Sequence, residues 1–285
     1  MRVCVFGAGL IGGSIAKGLQ AAQWSVMVHD PDPLACQAAQ ENQIPVIHLA
    51  EQLHEPDLLV VAVDPAQSAE LSLRLLQSYP KAIVTDTSSS KSETVLFMES
   101  NASPCELRRF VPGHPLVEGA AKKPFDPSVF KDCPWALCPS AENNLALGAV
   151  KLMLDALGAR SVLCQADQHD QAMGWSSQLA RVSACALQKA CSLELQEELG
   201  RFTSSSFLDC TESADEDPWL WQEVLLENSL NLIPAIDSLH SQLDELRHLI
   251  SGQDSQGLAN WLSQAKLDRS ALTAAEQAKL PADIQ

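Results

Sequence analysis

Positive charge is what this chain of 285 residues has least of: 19 Lys and Arg stand against 36 Asp and Glu, a net charge of -17. So acidic a surface repels phosphate backbones and anionic bilayers, which excludes nucleic acid and membrane as expected partners. An anionic small-molecule substrate would need a local cation. Long hydrophobic runs are missing as well, since no stretch approaches the ~18 uninterrupted apolar residues of a membrane span. Arg2 ahead of an apolar run resembles a signal peptide superficially, and the glycine-rich turn that follows explains it better. Paired metal-ligand spacings are also missing. The nine cysteines are scattered, none forms CxxC, and no histidine cluster accompanies them, so reduced thiols, no metal site and a cytoplasmic location are expected. Repeats and low-complexity tracts do not occur.

Apolar residues are plentiful at 46%, enough for substantial cores, and the length suggests about two domains. The first apolar run, residues 3–6, is too short for anything but a buried strand and leads straight into Gly7-Ala8-Gly9-Leu10-Ile11-Gly12. Ile11, Ile15, Ala16 and Leu19 then follow at helical spacing. Strand, GxGxxG turn and helix in this order form a dinucleotide cradle. Gly7 permits the turn, Gly9 lets the backbone approach a pyrophosphate, and Gly12 lets helix and strand pack closely. The anion would sit on the first amides of the helix, at Leu10 and Ile11. A second apolar run, 24–28, ends at Asp30, where a carboxylate would accept the ribose hydroxyls. Asp30 and Asp32 would repel a 2′-phosphate, so NAD is expected rather than NADP.

The alternation of short apolar runs and helical patterns continues to about residue 165, the sign of a parallel sheet covered on both faces. Strands are expected at 58–63, 82–84, 135–138 and 161–164, with a short run at 46–49 and Phe110-Val111 leading into Pro112-Gly113-His114-Pro115. Helices are expected at 33–43, around 71–76, from the serine run to about 100, and at 145–157. From Asp167 onward only helical periodicities remain, at 172–187, 219–250 and 257–278. The reading is therefore an α/β chain: an N-terminal Rossmann-type, doubly wound dinucleotide-binding domain at 1–165, and an all-helical substrate and dimerisation domain at 166–285. Leu225, Leu232, Ile236, Leu239, Leu243, Leu246 and Ile250 form a stripe that must be covered, which points to a homodimer through these helices. The tail 280–285 is expected to be loose.

Ligands in such sheets bind beyond the carboxyl ends of the strands. Asp64-Pro65, Ser88-Ser89-Ser90-Lys91 and Gly113-His114-Pro115 emerge there. His114 is the best general base of the seven histidines, because an imidazole needs little tuning to accept a proton at neutral pH. On position alone it could equally be a turn residue bonding a carbonyl. His29, His48 and His54 read as structural, His240 and His248 as solvated, and His169 as a capping or inter-domain residue. Ser89 or Ser90 could cap the following helix. Lys91 could be a charge near the cofactor or a solvated side chain.

Residues 7–14 (GAGLIGGS), 85–91 (TDTSSSK), Gly113-His114-Pro115, His169-Asp170-Gln171-Ala172, and Asp217-Pro218-Trp219-Leu220-Trp221 followed by Glu227-Asn228 recur in a familiar order. Over nearly the whole chain this resembles the prephenate/arogenate dehydrogenases of tyrosine biosynthesis. The resemblance implies oxidative decarboxylation: hydride leaves ring carbon 4 for NAD, the ring carboxylate departs as CO2, and the ring becomes aromatic. By the same resemblance His114 accepts the proton of the ring hydroxyl, Ser89 helps to hold that hydroxyl, and Trp221 lies near the substrate.

Two positions depart from the family pattern. Its Ser-His-x-Pro-His reads here Ser177-Gln178-Leu179-Ala180-Arg181, and its Gly-Phe-x-Asp-x-Thr-Arg reads Ser206-Phe207-Leu208-Asp209-Cys210-Thr211-Glu212. A carboxylate in place of a carboxylate-binding guanidinium reverses the local charge. Arg181, one turn from Gln178, could supply the missing cation while Glu212 faces Arg181 itself or the ammonium of arogenate; Arg201 is a second candidate. Equally, Arg181 could be a surface residue and Glu212 part of the solvated acidic run with Asp215, Glu216 and Asp217. Two other functions fit the sequence: a related oxidoreductase with a changed substrate, for which Lys189, Lys266 and Lys279 offer no persuasive catalytic lysine, and an NAD-binding protein without catalysis.

Overall fold

The structure, a computed structural model, describes residues 1–48, 55–117, 123–140, 144–192, 194 and 199–279. Leu49, His54 and the tail 280–285 lie outside the described residues.

Alternate residues of the first strands go to opposite sides. Val3 and Val5 of β1 (Arg2–Phe6) and Leu58 and Val60 of β3 (Leu58–Val61) join one apolar cluster with Ile15 and Leu19 of α1 (Leu10–Ala21). Cys4, Phe6, Leu59 and Val61 join a second with Leu75 and Leu76 of α3 (Pro65–Ser78). Burial on both faces is what turns these runs into continuous apolar strands, and only a helix-covered parallel sheet offers it. The sheet has the order β2-β1-β3-β4-β5, all parallel, with β2 at Ser25–His29, β4 at Ile83–Asp86 and β5 at Phe110–Val111. After α2 (Pro33–Glu41) the short run near residue 46 makes a single bridge, from Val46 to Val28 of β2. The chain then returns past β1 to form β3, so the winding reverses between β1 and β3, where such sheets open a ligand crevice.

The sequence reading expected one parallel sheet; the last three strands form their own. β6 (Gly113–Pro115) runs antiparallel to β7 (Pro134–Leu137), and β8 (Arg160–Leu163) runs parallel to β7. The reversal follows from the anchoring of Gly113, whose N–H donates to Asp86 Oδ1 at 2.9 Å and ties β6 across the end of β4. α4 (Ser92–Asn101) and α5 (Pro104–Leu107) connect β4 to β5, and α6 (Asn144–Leu157) connects β7 to β8.

Beyond β8 the described residues are helical. The expected helix at 172–187 is two helices, α7 (Ala166–Met173) and α8 (Leu179–Cys191), around a π-turn at Gly174–Gln178. Such insertions recur at functional sites. α9 (Ser205–Thr211) follows. The expected continuous segment at 219–250 breaks into α10 (Pro218–Glu227) and α11 (Ser229–Ser251) at Asn228, whose backbone leaves the helix at φ -102° and ψ 23° and whose buried side chain bonds distant partners.

The chain forms two compact units, Met1–Leu232 and Ile233–Gln285. The expected boundary at 165/166 marks where strands end, but α7–α10 pack in the same unit as the sheets. The reason is long-range capping: Asp170 of α7 accepts the N–H groups of Lys91 and Ser92, 79 and 78 residues away. The second unit is a hairpin of α11 and α12 (Ser255–Lys279), in which Trp261 Nε1 donates to Gln242 Oε1 at 3.2 Å. Leu243, Ile250, Leu262, Leu267 and Leu272 are exposed on it. Among the described residues no helix is long and apolar enough to cross a membrane.

Candidate active site

The glycine turn is shaped by contact with β3. Gly7 adopts φ +97°, and a Cβ there would lie 2.1 Å from the Ala62 carbonyl oxygen. A Cβ on Gly12 would lie 2.0 Å from the Gly7 oxygen, so any side chain forces helix and turn apart. Gly9 differs: nothing lies within 4 Å of its Cβ position. Open space sits above the first turn of α1, whose N–H groups have no helical acceptor, and this is the shape and polarity a pyrophosphate needs. Asp30 is tied to the turn, accepting the Ala8 N–H at 2.7 Å and the Asp32 N–H at 2.8 Å. Asp64 is exposed at the end of β3, and Pro65 opens α3. The cradle expected from sequence is thus assembled, and it fits a dinucleotide.

Buried polar groups gather beyond β4 and β6. Lys91 is neither near solvent nor free. Its side chain is wholly buried, and Nζ donates to Asp86 Oδ2 at 2.6 Å, Ser88 Oγ at 2.9 Å and the Gly113 carbonyl at 2.8 Å. The signal for this pair in the sequence is the acid that closes β4 and the lysine five residues on. Neither Ser89 nor Ser90 caps α4; Asp170 does, and both serine Oγ atoms are buried without a partner.

The half-buried His114 ring places Nδ1 3.0 Å from Nε2 of His169, whose Nδ1 lies 2.8 Å from Asp170 Oδ1. His169 therefore caps nothing; it stands between His114 and Asp170. Burial, then the neighbouring His169 and Lys91, hold the His114 pKa well below its ordinary 6.5, with Asp170 pulling the other way. Burial by itself would raise the Asp170 carboxyl, but bonds from His169, Ser92 and Lys91 outweigh it and leave the group below its ordinary value. Asn228 Nδ2 closes the cluster, donating to the Asp170 carbonyl and to Gln178 Oε1, both at 2.8 Å. No local pattern in the sequence marks Asn228 for this place.

One turn past Gln178, Arg181 is 6% exposed, not a surface residue. It pairs with the Glu216 carboxylate, donates to the Ser213 carbonyl, and lies 4.0 Å over the Trp221 ring, whose Nε1 donates to the same Glu216 oxygen at 2.8 Å. The expected Arg181–Glu212 pairing does not form. Glu212 is exposed at the start of a 3-10 turn, and Glu216, one turn later, reaches the guanidinium instead. Arg201 is exposed. Among the described residues no group of three His, Cys, Asp or Glu is placed to hold a metal ion.

Residues 15–163 match the prephenate dehydrogenase nucleotide-binding domain, and residues 165–264 match the prephenate dehydrogenase dimerization domain. The cyclohexadienyl dehydrogenase of Zymomonas mobilis is 26% identical over 95% of this chain and 96% of its own. Among solved structures, prephenate dehydrogenase from A. aeolicus in complex with hydroxyphenyl propionate and NAD+ superposes with a TM-score of 0.83 at 25% identity, over 95% of this chain and 98% of that one. Synechocystis arogenate dehydrogenase superposes with a TM-score of 0.76 at 26% identity, over 95% of this chain and all of that one. With both domain types in order over most of its length, the chain belongs to the prephenate/arogenate dehydrogenase family and is a dehydrogenase of that kind.

Proposed function

We propose that this chain carries out the NAD-dependent oxidative decarboxylation of arogenate, and less efficiently of prephenate, with His114 as the base. The observation that carries the reading is the geometry of that imidazole: Nδ1 lies 3.0 Å from His169 Nε2, which leaves the other nitrogen for a ring hydroxyl. Ser89 sits on the loop that Lys91 pins to Gly113, and its unpartnered Oγ suits the same hydroxyl. Gly7, Gly9, Leu10, Ile11 and Gly12 hold the pyrophosphate, Asp30 the ribose, and Asp64 and Pro65 flank the crevice at the end of β3. NAD, when bound, supplies the hydride acceptor. The protein positions the ring and removes one proton, while loss of CO2 and aromatisation supply the driving force.

Charge decides between the substrates. The Arg181–Glu216 pair beside Trp221 has no net charge, which suits the zwitterionic side chain of arogenate. The side chain of prephenate ends in an unbalanced carboxylate and would leave a like charge facing Glu216. Gln178, Arg181 and Trp221 are the substrate-side residues in this reading, and Glu212 stays in solvent. The partner is a second copy, covering Leu243, Ile250 and the other exposed leucines of α11 and α12. The nine free cysteines suit a reducing compartment, and we assign the enzyme to the cytoplasm.

The test is the appearance of NADH at 340 nm with each substrate. Arogenate should give the higher kcat/KM, and His114→Ala should lower it by about 10²- to 10⁴-fold while NAD still binds. A wild-type enzyme that binds NAD and forms NADH with neither substrate overturns the reading.

A further inference from the structure

We propose that His169 and Asp170 are positioning residues that fix which nitrogen of His114 carries the proton. The inference rests on the function proposed above, and it follows from donor and acceptor bookkeeping along one chain of contacts. Asp170 Oδ1 already accepts the Lys91 N–H at 2.9 Å and Oδ2 the Ser92 N–H at 2.7 Å, so this carboxylate is an acceptor on both oxygens. The neighbouring nitrogen, His169 Nδ1 at 2.8 Å, must therefore be the donor. A neutral imidazole with its proton on Nδ1 has only a lone pair on Nε2. His114 Nδ1, 3.0 Å from that lone pair, must donate in turn, which places the His114 lone pair on Nε2. That nitrogen is then the one free to take a substrate proton. In the opposite tautomer Nε2 would carry hydrogen and could not act as a base.

The arrangement is fixed as well as polarised. The His169 side chain is 2% exposed and that of Asp170 3%, and the two rings meet edge-on at 77° with centroids 5.1 Å apart. Asp170 is held by two backbone amides from the loop that also carries Ser89. One carboxylate thus caps α4, orients His169 and, through it, His114. Burial first, then His169 and Lys91, disfavour an imidazolium at His114, and Asp170 favours it, while the Asp86 charge is engaged by Lys91. Among the described residues, the charged and titratable groups that act on His114 are His169 and Asp170 from α7 and Lys91 from the β4–α4 loop.

His169→Ala and His169→Gln separate positioning from packing. Alanine removes the acceptor of the His114 Nδ1–H, so kcat with arogenate should fall about 100-fold with little change in KM for NAD. A glutamine can donate its amide N–H toward Asp170 and accept from His114 through Oε1, and should recover about tenfold of that loss. Glutamine also removes a neighbour that holds the His114 pKa down, so the acid limb of kcat/KM should move to higher pH. A merely structural role would lower activity equally at every pH. Undiminished kcat in His169→Ala, or equal losses in both variants with an unmoved acid limb, overturns the assignment. Should the alanine variant fail to fold, the pH profile of His169→Gln decides alone, and an unmoved acid limb rejects the proposal. If the wild-type enzyme makes no NADH with either substrate, the function fails; if it does and the His169 variants match it, only this inference fails.

Discussion

The nucleotide cradle and the proton-handling cluster belong to the same unit of the chain, and they are built from opposite materials. The cradle is backbone: glycines pressed against carbonyls, helix amides facing open space, and one carboxylate at the end of β2. The cluster is side chain, with Lys91, Asp86, Asp170, His169 and Asn228 all buried and each engaged with a named partner. A backbone site should be sensitive to volume and indifferent to charge, whereas a buried polar cluster should fail when one member loses its counterpart.

The sharpest way to break that contrast is Lys91→Met. It removes the cation and leaves Asp86 anionic and dry, a loss that costs about 3–5 kcal/mol in comparable buried pairs. Chemical denaturation should show it, and a second change, Asp86→Asn, should restore part of the stability because no uncompensated charge then remains. A loss below about 1 kcal/mol in the single variant would mean that the pair is solvated, contrary to its complete burial.

A smaller effect of the opposite kind is expected in the cradle, where Gly9 and Gly12, three residues apart, answer differently to the same methyl group. Gly12→Ala inserts it 2.0 Å from the Gly7 oxygen and should destabilise the fold by about 1–3 kcal/mol, as overpacking does. Gly9→Ala places it in open space, so stability should change by less than about 0.5 kcal/mol. NAD affinity should nonetheless fall, because the methyl occupies the approach to the α1 amides. Calorimetric melting alongside NAD titration checks both; equal destabilisation by the two substitutions would contradict the geometry.

The same contrast explains what could be read in advance. The cradle was legible because its parts are neighbours in sequence, with strand, glycines, helix and acid following one another from Arg2 to Asp30. β3, β4, β5, β7 and β8 were legible as apolar runs for a similar local reason. The cluster was not, since its joints span 79 residues from Lys91 to Asp170 and 58 from Asp170 to Asn228, and no local pattern encodes them. His114 could be named from its place after a strand, but the function of His169 could not. Adjacency to Asp170 says nothing of the ring on its other side. Glu216 was passed over for Glu212 for a related reason: both lie in one acidic run, and only the turn at Glu212–Asp215 decides which of them reaches Arg181. The break at Asn228 escaped notice because the leucine stripe continues across it in register.

A half-buried carboxylate with like charges beside it gives the mildest test. Glu227, at the end of α10, is half-buried; burial first, then Glu93 and Glu223, raise its pKa from 4.5 to about 7, against a small opposing pull from Lys91. A folded-state pKa above the unfolded value means that the native state holds an extra proton between the two. The stability this contributes is fully present below pH 4.5 and is lost as the pH rises through 7. Glu227→Gln is neutral throughout. It should match the wild type at pH 4.5 and exceed it at pH 8 by about 1 kcal/mol, a rise of some 2–4 °C in Tm for a chain of this size, the figure being modest because solvent reaches the group. Melting curves at the two pH values read the difference directly. A Tm offset of the same size at both would show that glutamine acts by packing and that the carboxyl of Glu227 carries no such proton linkage.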